Sequence, residues 1–165
     1  IASLRTIPAL NDISLTTNGI LLEAHAERLF AAGIRRINIS LDSLNADKYS
    51  RITRGGDIHA VLRGIRIVRE IGFHPIKINI VAIKGFNDDE LGRIATFAWD
   101  RGALPRFIEW MPMSAGDLYA PGSLLEAAAI RRAISSAENA CRLISRPSPV
   151  RSAAAKSFSP ASSPT

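Results

Sequence analysis

The chain has 165 residues, 47% of them apolar and 22% charged, which is room for one domain with an ordinary core. That balance excludes a wholly disordered, collagenous or disulfide-stapled chain. The net charge is +6, from 21 basic and 15 acidic residues. The basic residues are scattered and do not interleave with aromatic ones, so a small anionic ligand is expected and nucleic acid is not.

Cys141 is the one cysteine, so no internal disulfide, cysteine zinc site or cysteine-held iron–sulfur cluster is expected from it. No apolar run approaches the ~20 residues of a membrane span. Residues 1–10 lack the pattern of a signal peptide. A cytoplasmic protein without membrane contact is expected. The sequence opens without an initiator methionine and reads as a fragment.

In chain order, Asp12–Thr17 predicts a strand closed by the turn dipeptide Asn18-Gly19. Leu21–Ala32 carries Leu22, Ala26, Leu29 and Phe30 at helical spacing, with Gly33 as the stop. Arg36–Leu41 is a second strand, ending at Asp42-Ser43. His59–Ile71 is a helix stopped by Gly72, and Lys77–Ile83 a third strand. Asp88 or Asp89 is expected to cap a helix through Asp100, stopped by Gly102. Arg106–Met111 is a fourth strand, ended by Pro112. Residues 122–144 are Ala-rich with a helical period, and 117–144 is taken as a helical extension. Residues 145–165 hold seven Ser, four Pro and four Ala, too little apolar surface to offset chain entropy, and are expected to be disordered.

Strands alternating with helices predict parallel β/α architecture, an open sheet or part of a barrel. The strands alternate internally too. Asn38, Ser40 and Asp42 share one face, Ile37, Ile39 and Leu41 the other, and Lys77 and Asn79 oppose Ile78 and Ile80. A strand buried on both faces would be apolar throughout. Polar residues at every second position therefore face something polar, which in a β/α barrel is the ligand cavity at the C-terminal ends of the strands.

Several residues are candidates on this reading. Thr16 to Gly19 offers a hydroxyl and an amide to a ligand, or is an ordinary Asn-Gly turn. Ser40 with Asp42 suits ribose or amino-acid recognition, unless Asp42 and Ser43 make a helix cap or Asx turn; Ser40 is the better ligand and Asp42 the better structural residue. Lys77, costly inside a barrel unless paired, is a candidate phosphate or carbonyl contact, or a snorkelling lysine. Glu109 would need a partner such as Arg106 or Lys77, and Met111 reads better as gap-filling core than as a ligand contact. No His-x-His or His-x-x-x-His pair, GxGxxG, P-loop or GxSxG occurs, which leaves no histidine metal site, dinucleotide motif or nucleophile elbow to argue from.

The ordered set TTNG, INISLDSL, ITRGG, VLRGI, PIKIN, KGFNDDE and RFIEWMPM, spanning about residues 3–116, resembles the GTP 3′,8-cyclases of molybdenum-cofactor biosynthesis. These are radical S-adenosylmethionine (SAM) enzymes. The resemblance implies a partial (β/α) barrel of that type, covering the middle and later units. It implies an enzyme, a lyase, that uses SAM and 4Fe-4S clusters. A 5′-deoxyadenosyl radical takes a ribose hydrogen from GTP, and a new carbon–carbon bond closes onto the guanine. The product is (8S)-3′,8-cyclo-7,8-dihydroguanosine 5′-triphosphate. Family members can dimerise, and cyclic pyranopterin monophosphate synthase is the pathway partner.

Residue by residue, the resemblance places Thr16 and Lys77 at GTP-contacting positions, and Ser40 and Met111 at SAM-contacting positions. The CxxxCxxC motif of the SAM-cleaving cluster, the Gly-Gly-Glu-Pro segment and the cysteines of a second cluster do not occur in this sequence. The expectation is a fragment inactive by itself. The alternatives are a non-catalytic nucleotide-binding remnant, another radical SAM enzyme, or an aldolase-like barrel with Lys77 or Lys84 as a Schiff-base amine.

Overall fold

The computed structural model describes residues 12–109 and 124–144, with Ser3, Ile7 and Leu10. The elements are β1 (Ser14–Thr17), α1 (Leu22–Ala31), β2 (Arg36–Ser40), α2 (Ala46–Thr53), α3 (Ile58–Ile71), β3 (Ile76–Ala82), α4 (Leu91–Asp100), β4 (Leu104–Glu109) and α5 (Ala127–Ile144).

The four strands pair in parallel in the order β1-β2-β3-β4. Parallel crossovers are right-handed, so strands laid down one after another keep their helices on one side of the sheet. A sheet with its helices on one face is a segment of a β/α barrel, and this settles the choice between barrel and open sheet. The helix-facing side carries Ile37, Ile39, Leu41, Ile76, Ile78 and Ile80, all buried. They pack with Leu22, Ala26, Val61, Ile65, Val68, Leu91 and Ile94 into one core. Each such side chain contributes roughly 1.5–3 kcal/mol through burial.

Glycines set the closest approaches. Gly19 has φ +83°, and a Cβ there would lie 2.9 Å from Val61 Cγ1. A Cβ on Gly64 would lie 2.9 Å from Leu22 Cβ and 3.0 Å from the Gly19 carbonyl oxygen. The TTNG turn and the VLRGI helix therefore meet glycine to glycine, and α1 seats directly on α3.

Three expectations are corrected. The helix α2 was not expected: its eight residues bury only Tyr49, too little for a visible apolar period. Its cap is Asn45, whose side chain accepts from the Asp47 and Lys48 amides, and neither Asp42 nor Ser43 fills that role. The helix α4 begins at Leu91, after Glu90, and has no side-chain cap. Asp88 accepts from the Gly85 amide and Asp89 pairs with Lys48. The last helix starts at Ala127, and its Ala133 and Ala137 lie against Gly92 of α4. The Ser/Pro-rich segment 145–165 lies outside the described residues. No helix among the described residues is long and apolar enough to cross a membrane.

Candidate functional site

The sheet face opposite the helices carries the polar half of every strand. In register, Thr16, Asn38, Lys77 and Leu104 form one row across the four strands. Ser40, Asn79 and Arg106 form the next, two residues nearer the strands' C-terminal ends. Paired residues of parallel strands point to the same side, so both rows face away from the core.

The first row is built by the turn after β1. Thr17 Oγ1 accepts from the Gly19 amide and Asn18 Oδ1 accepts from the Ile20 amide. Those two side chains close the turn and leave Thr16 on the polar face. There Asn38 Nδ2 donates to Thr16 Oγ1 at 3.1 Å, which orients the hydroxyl. Lys77, next in the row, is half-buried. Its ammonium has no ion pair or hydrogen bond among the described residues. A half-buried cation without a counter-charge favours an anionic ligand. Arg106 of the second row is exposed and likewise unpaired there. Ser40 and Asn79 are half-buried, and Asn79 Oδ1 is buried without any donor.

The loops beyond β2 and β3 are locked to each other by buried polar groups. Asp42 accepts from the Val81 amide at 2.7 Å, and burial pushes its carboxyl above the ordinary range, partly offset by that bond. Asn87 donates to the Asp42 and Val81 carbonyls and accepts from the Ile83 amide. Glu90 accepts from Ser43 Oγ at 2.9 Å and the Leu44 amide at 2.8 Å, with Lys48 Nζ at 3.1 Å. Asp42 is thus a structural residue that stitches the ends of β2 and β3 together.

Thr16, Ser40 and Lys77 stand together on one face. Glu109 does not join them: it pairs in register with Ala82, on the helix side, opposite to Lys77 and Arg106, so neither cation partners it. Met111 lies outside the described residues. Asn38 and Asn79 were not singled out from sequence, although their alternation with Ile37, Ile39, Ile78 and Ile80 carried the signal. Asn87 and Glu90 lie in a loop, where no period marks burial. A cleft of about 760 Å³ lies elsewhere, on the outer helix layer, among His59, Arg63, Arg66, Arg69 and Arg101.

Residues 1–98 match the family model of the radical SAM superfamily. The chain belongs to that superfamily. Among curated proteins, this radical SAM chain is 45% identical over 129 residues to the GTP 3′,8-cyclase of Pelotomaculum thermopropionicum, covering 78% of this chain and 40% of that protein. It is 50% identical over 113 residues to the GTP 3′,8-cyclase of Alkaliphilus oremlandii, covering 68% and 35%. The chain thus spans about two fifths of the length of the curated relatives it matches. In fold it is similar to a radical SAM methyltransferase from Sphaerobacter thermophilus, with TM-score 0.58, 21% identity, and coverage of 82% and 43%. It is also similar to TYW1 with a lysine-pyruvate adduct bound, at TM-score 0.56 and 20% identity over 78% of this chain and 40% of that one. The partial radical SAM barrel expected from sequence is the fold observed.

The radical SAM family implies a 4Fe-4S cluster, and the donor set here does not fit one. Such clusters are held by several cysteine thiolates, and these 165 residues contain one cysteine. No group of three or more His, Cys, Asp or Glu is placed to hold a metal among the described residues.

Proposed function

We propose that this chain supplies the middle and later barrel units of a GTP 3′,8-cyclase, the radical SAM lyase that commits GTP to molybdenum-cofactor synthesis. The observation that carries the reading is the row Thr16–Asn38–Lys77, with its oriented hydroxyl and unpaired half-buried ammonium. The family names of relatives 45–50% identical support it.

On this reading Lys77 neutralises the GTP triphosphate, and Thr16 hydrogen-bonds a polar edge of the nucleotide. Ser40 and Met111 contact SAM. Bound SAM, with a cluster, supplies the radical that converts GTP to the 3′,8-cyclic dihydroguanosine triphosphate. The cluster's ligands are not among these residues, so the part assigned to them is binding and orientation. By itself the chain binds without turnover. The cytoplasm, a dimeric parent enzyme and hand-over of product to cyclic pyranopterin monophosphate synthase belong to the same reading.

Equilibrium dialysis with GTP and guanosine tests it. GTP should bind the wild-type chain at least ten-fold more tightly than guanosine. Lys77→Ala should remove roughly 10- to 100-fold of the GTP affinity, the loss of a charge-assisted phosphate contact. Equal binding of GTP and guanosine, or an unchanged affinity in Lys77→Ala, refutes it.

A further inference from the structure

We propose that the groove between α3 and α4, on the outer helix layer, is a docking surface for an acidic helix of another protein. The inference is independent of the nucleotide reading, because the groove shares no residue with the polar rows of the sheet.

The groove arises from how the helices pair. The helix α1 packs on α3 and α5 packs on α4, and a cleft of about 760 Å³ stays open along α3. Arg63, Arg66 and Arg69 of α3 line it, with Arg101 at the end of α4. The α3 arginines recur at every third residue, so they form one slanting stripe. It rises roughly 9 Å along the helix at about 1.5 Å per residue. All three are exposed, and the chain's own carboxylates satisfy them unevenly. Arg63 pairs with Glu23 at 2.9 Å, and Arg66 lies 3.9 Å from Glu70. The guanidinium of Arg69 has no ion pair or hydrogen bond among the described residues. Arg101 stacks on the Phe97 ring at 3.7 Å and donates to the Phe97 carbonyl. Those contacts hold its guanidinium in place, and no carboxylate pairs with it among the described residues.

The charge pattern selects the occupant. A nucleic-acid backbone carries a charge on every unit and would meet Glu70 and Asp100, which also line the groove. No Phe, Tyr or Trp lines it to stack a base. A protein segment sets carboxylates opposite the arginines and neutral side chains opposite those two acids. Carboxylates on successive turns of a helix match the spacing of the stripe, and arginine forks pair well with them. Leu62, half-buried in the same groove, offers a seat for an apolar residue of the partner. On the other side of α3 a second groove is lined by Glu23, Glu27 and Glu70 against one arginine, Arg28. Those glutamates repel an acidic helix and confine it to the α4 side. The chain's own segment 145–165 does not suit the groove: it holds Arg146, Arg151 and Lys156 and no Asp or Glu.

The test uses the full chain and two fluorescein-labelled synthetic helical peptides, read by fluorescence anisotropy. One carries three glutamates on successive turns and a leucine on the same face; the other has glutamine at those three positions. The acidic peptide should bind at least about ten-fold more tightly than its control. Its affinity should fall as salt is raised, because exposed charges are screened. The double variants Arg66→Gln/Arg69→Gln and Arg66→Glu/Arg69→Glu should each lose about ten-fold or more, while Arg28→Gln, across α3, should bind as wild type does. Circular dichroism confirms that the variants fold, and the glutamine pair decides if the glutamate pair does not. Equal binding of the two peptides, no saturable binding below about 1 mM, or full affinity in a folded double variant overturns the inference. Displacement of the peptide by a lower concentration of single-stranded RNA or tripolyphosphate assigns the groove to a phosphate ligand and also overturns it. So does self-association of the chain, measured by sedimentation, that the glutamine pair abolishes, since the occupant is then a second copy.

Discussion

Replacing Glu90 by Ala should destabilise the chain by about 3 kcal/mol. The carboxylate is 2% exposed and accepts from the Ser43 hydroxyl and the Leu44 amide at 2.9 and 2.8 Å. Ser43 keeps its exchange of bonds with Asn45 in the variant, so its hydroxyl is not orphaned. The Leu44 amide is, and an unsatisfied buried donor costs about 1–3 kcal/mol. Lost packing of the side chain adds about 1 kcal/mol. Relief from burying a charge offsets part of this, while the lost attraction to Lys48 at 3.1 Å opposes that relief. For a chain of this size the midpoint should fall by roughly 10 °C. Glu90→Gln separates the contributions: it retains an oxygen for the Leu44 amide and loses only the charge, so about 1 kcal/mol is expected. Urea unfolding followed by circular dichroism gives both numbers from the shift in midpoint at constant slope. A loss below about 1 kcal/mol for the Ala variant, or a Gln variant as damaged as Ala, would refute the claim that this carboxylate ties the two loops together through hydrogen bonds.

Gly64→Ala should cost about 1–3 kcal/mol by overpacking, because its new methyl would meet Leu22 Cβ at 2.9 Å and the Gly19 carbonyl at 3.0 Å; a thermal melt unchanged from wild type would contradict the close α1–α3 contact. Burial raises the Asp42 pKa in the folded state, so the folded chain binds this proton more tightly than the unfolded one. Its contribution to stability is therefore full below the ordinary value of 3.8 and is lost as pH rises through the raised value. Asp42→Asn keeps an oxygen for the Val81 amide and removes that loss. Its stability relative to wild type should grow between pH 3 and pH 7 in chemical-denaturation curves, and a difference that shrinks over that range would show the sign to be wrong.

What could be read in the sequence was what repeats. The alternation Ile37-Asn38-Ile39-Ser40 and Ile76-Lys77-Ile78-Asn79 declared both faces of the sheet, since side chains of a strand point alternately to its two sides. The polar face, with Thr16, Ser40 and Lys77 on it, followed from it. The buried loop polars did not. Asn87 and Glu90 sit between elements, and the partners that permit their burial come from β2, β3 and the segment before α2, far away in sequence. The helix α2 was hidden because Tyr49 alone anchors it. Glu109 stands an odd number of residues from Arg106, so alternation along the strand itself sets the two on opposite faces, and pairing with Ala82 puts Glu109 on the helix side.

On the proposed function, the two polar rows also bear on why a parallel half-barrel suits a hydrogen transfer from one nucleoside to another. Thr16 and Lys77 occupy one row, and Ser40 and Asn79 the next, two residues along. At about 3.3 Å per residue the rows lie roughly 6.6 Å apart. That spacing is of the order of one sugar ring. On the proposed reading, a triphosphate anchored at the first row would bring its ribose toward the second, where the resemblance places SAM. Neither row has a flexible loop for its foundation: Thr16, Asn38, Ser40, Lys77 and Asn79 are all ladder residues of β1, β2 and β3, and their backbones are fixed by inter-strand bonds and an isoleucine core. The locked ends of β2 and β3, through Asp42 to Val81 and Asn87 to both, hold the distance between Ser40 and Asn79 where a small displacement would matter most. A site that must keep two reactants in register across one sugar's width is best built on strands, and here the sheet's own register supplies that alignment.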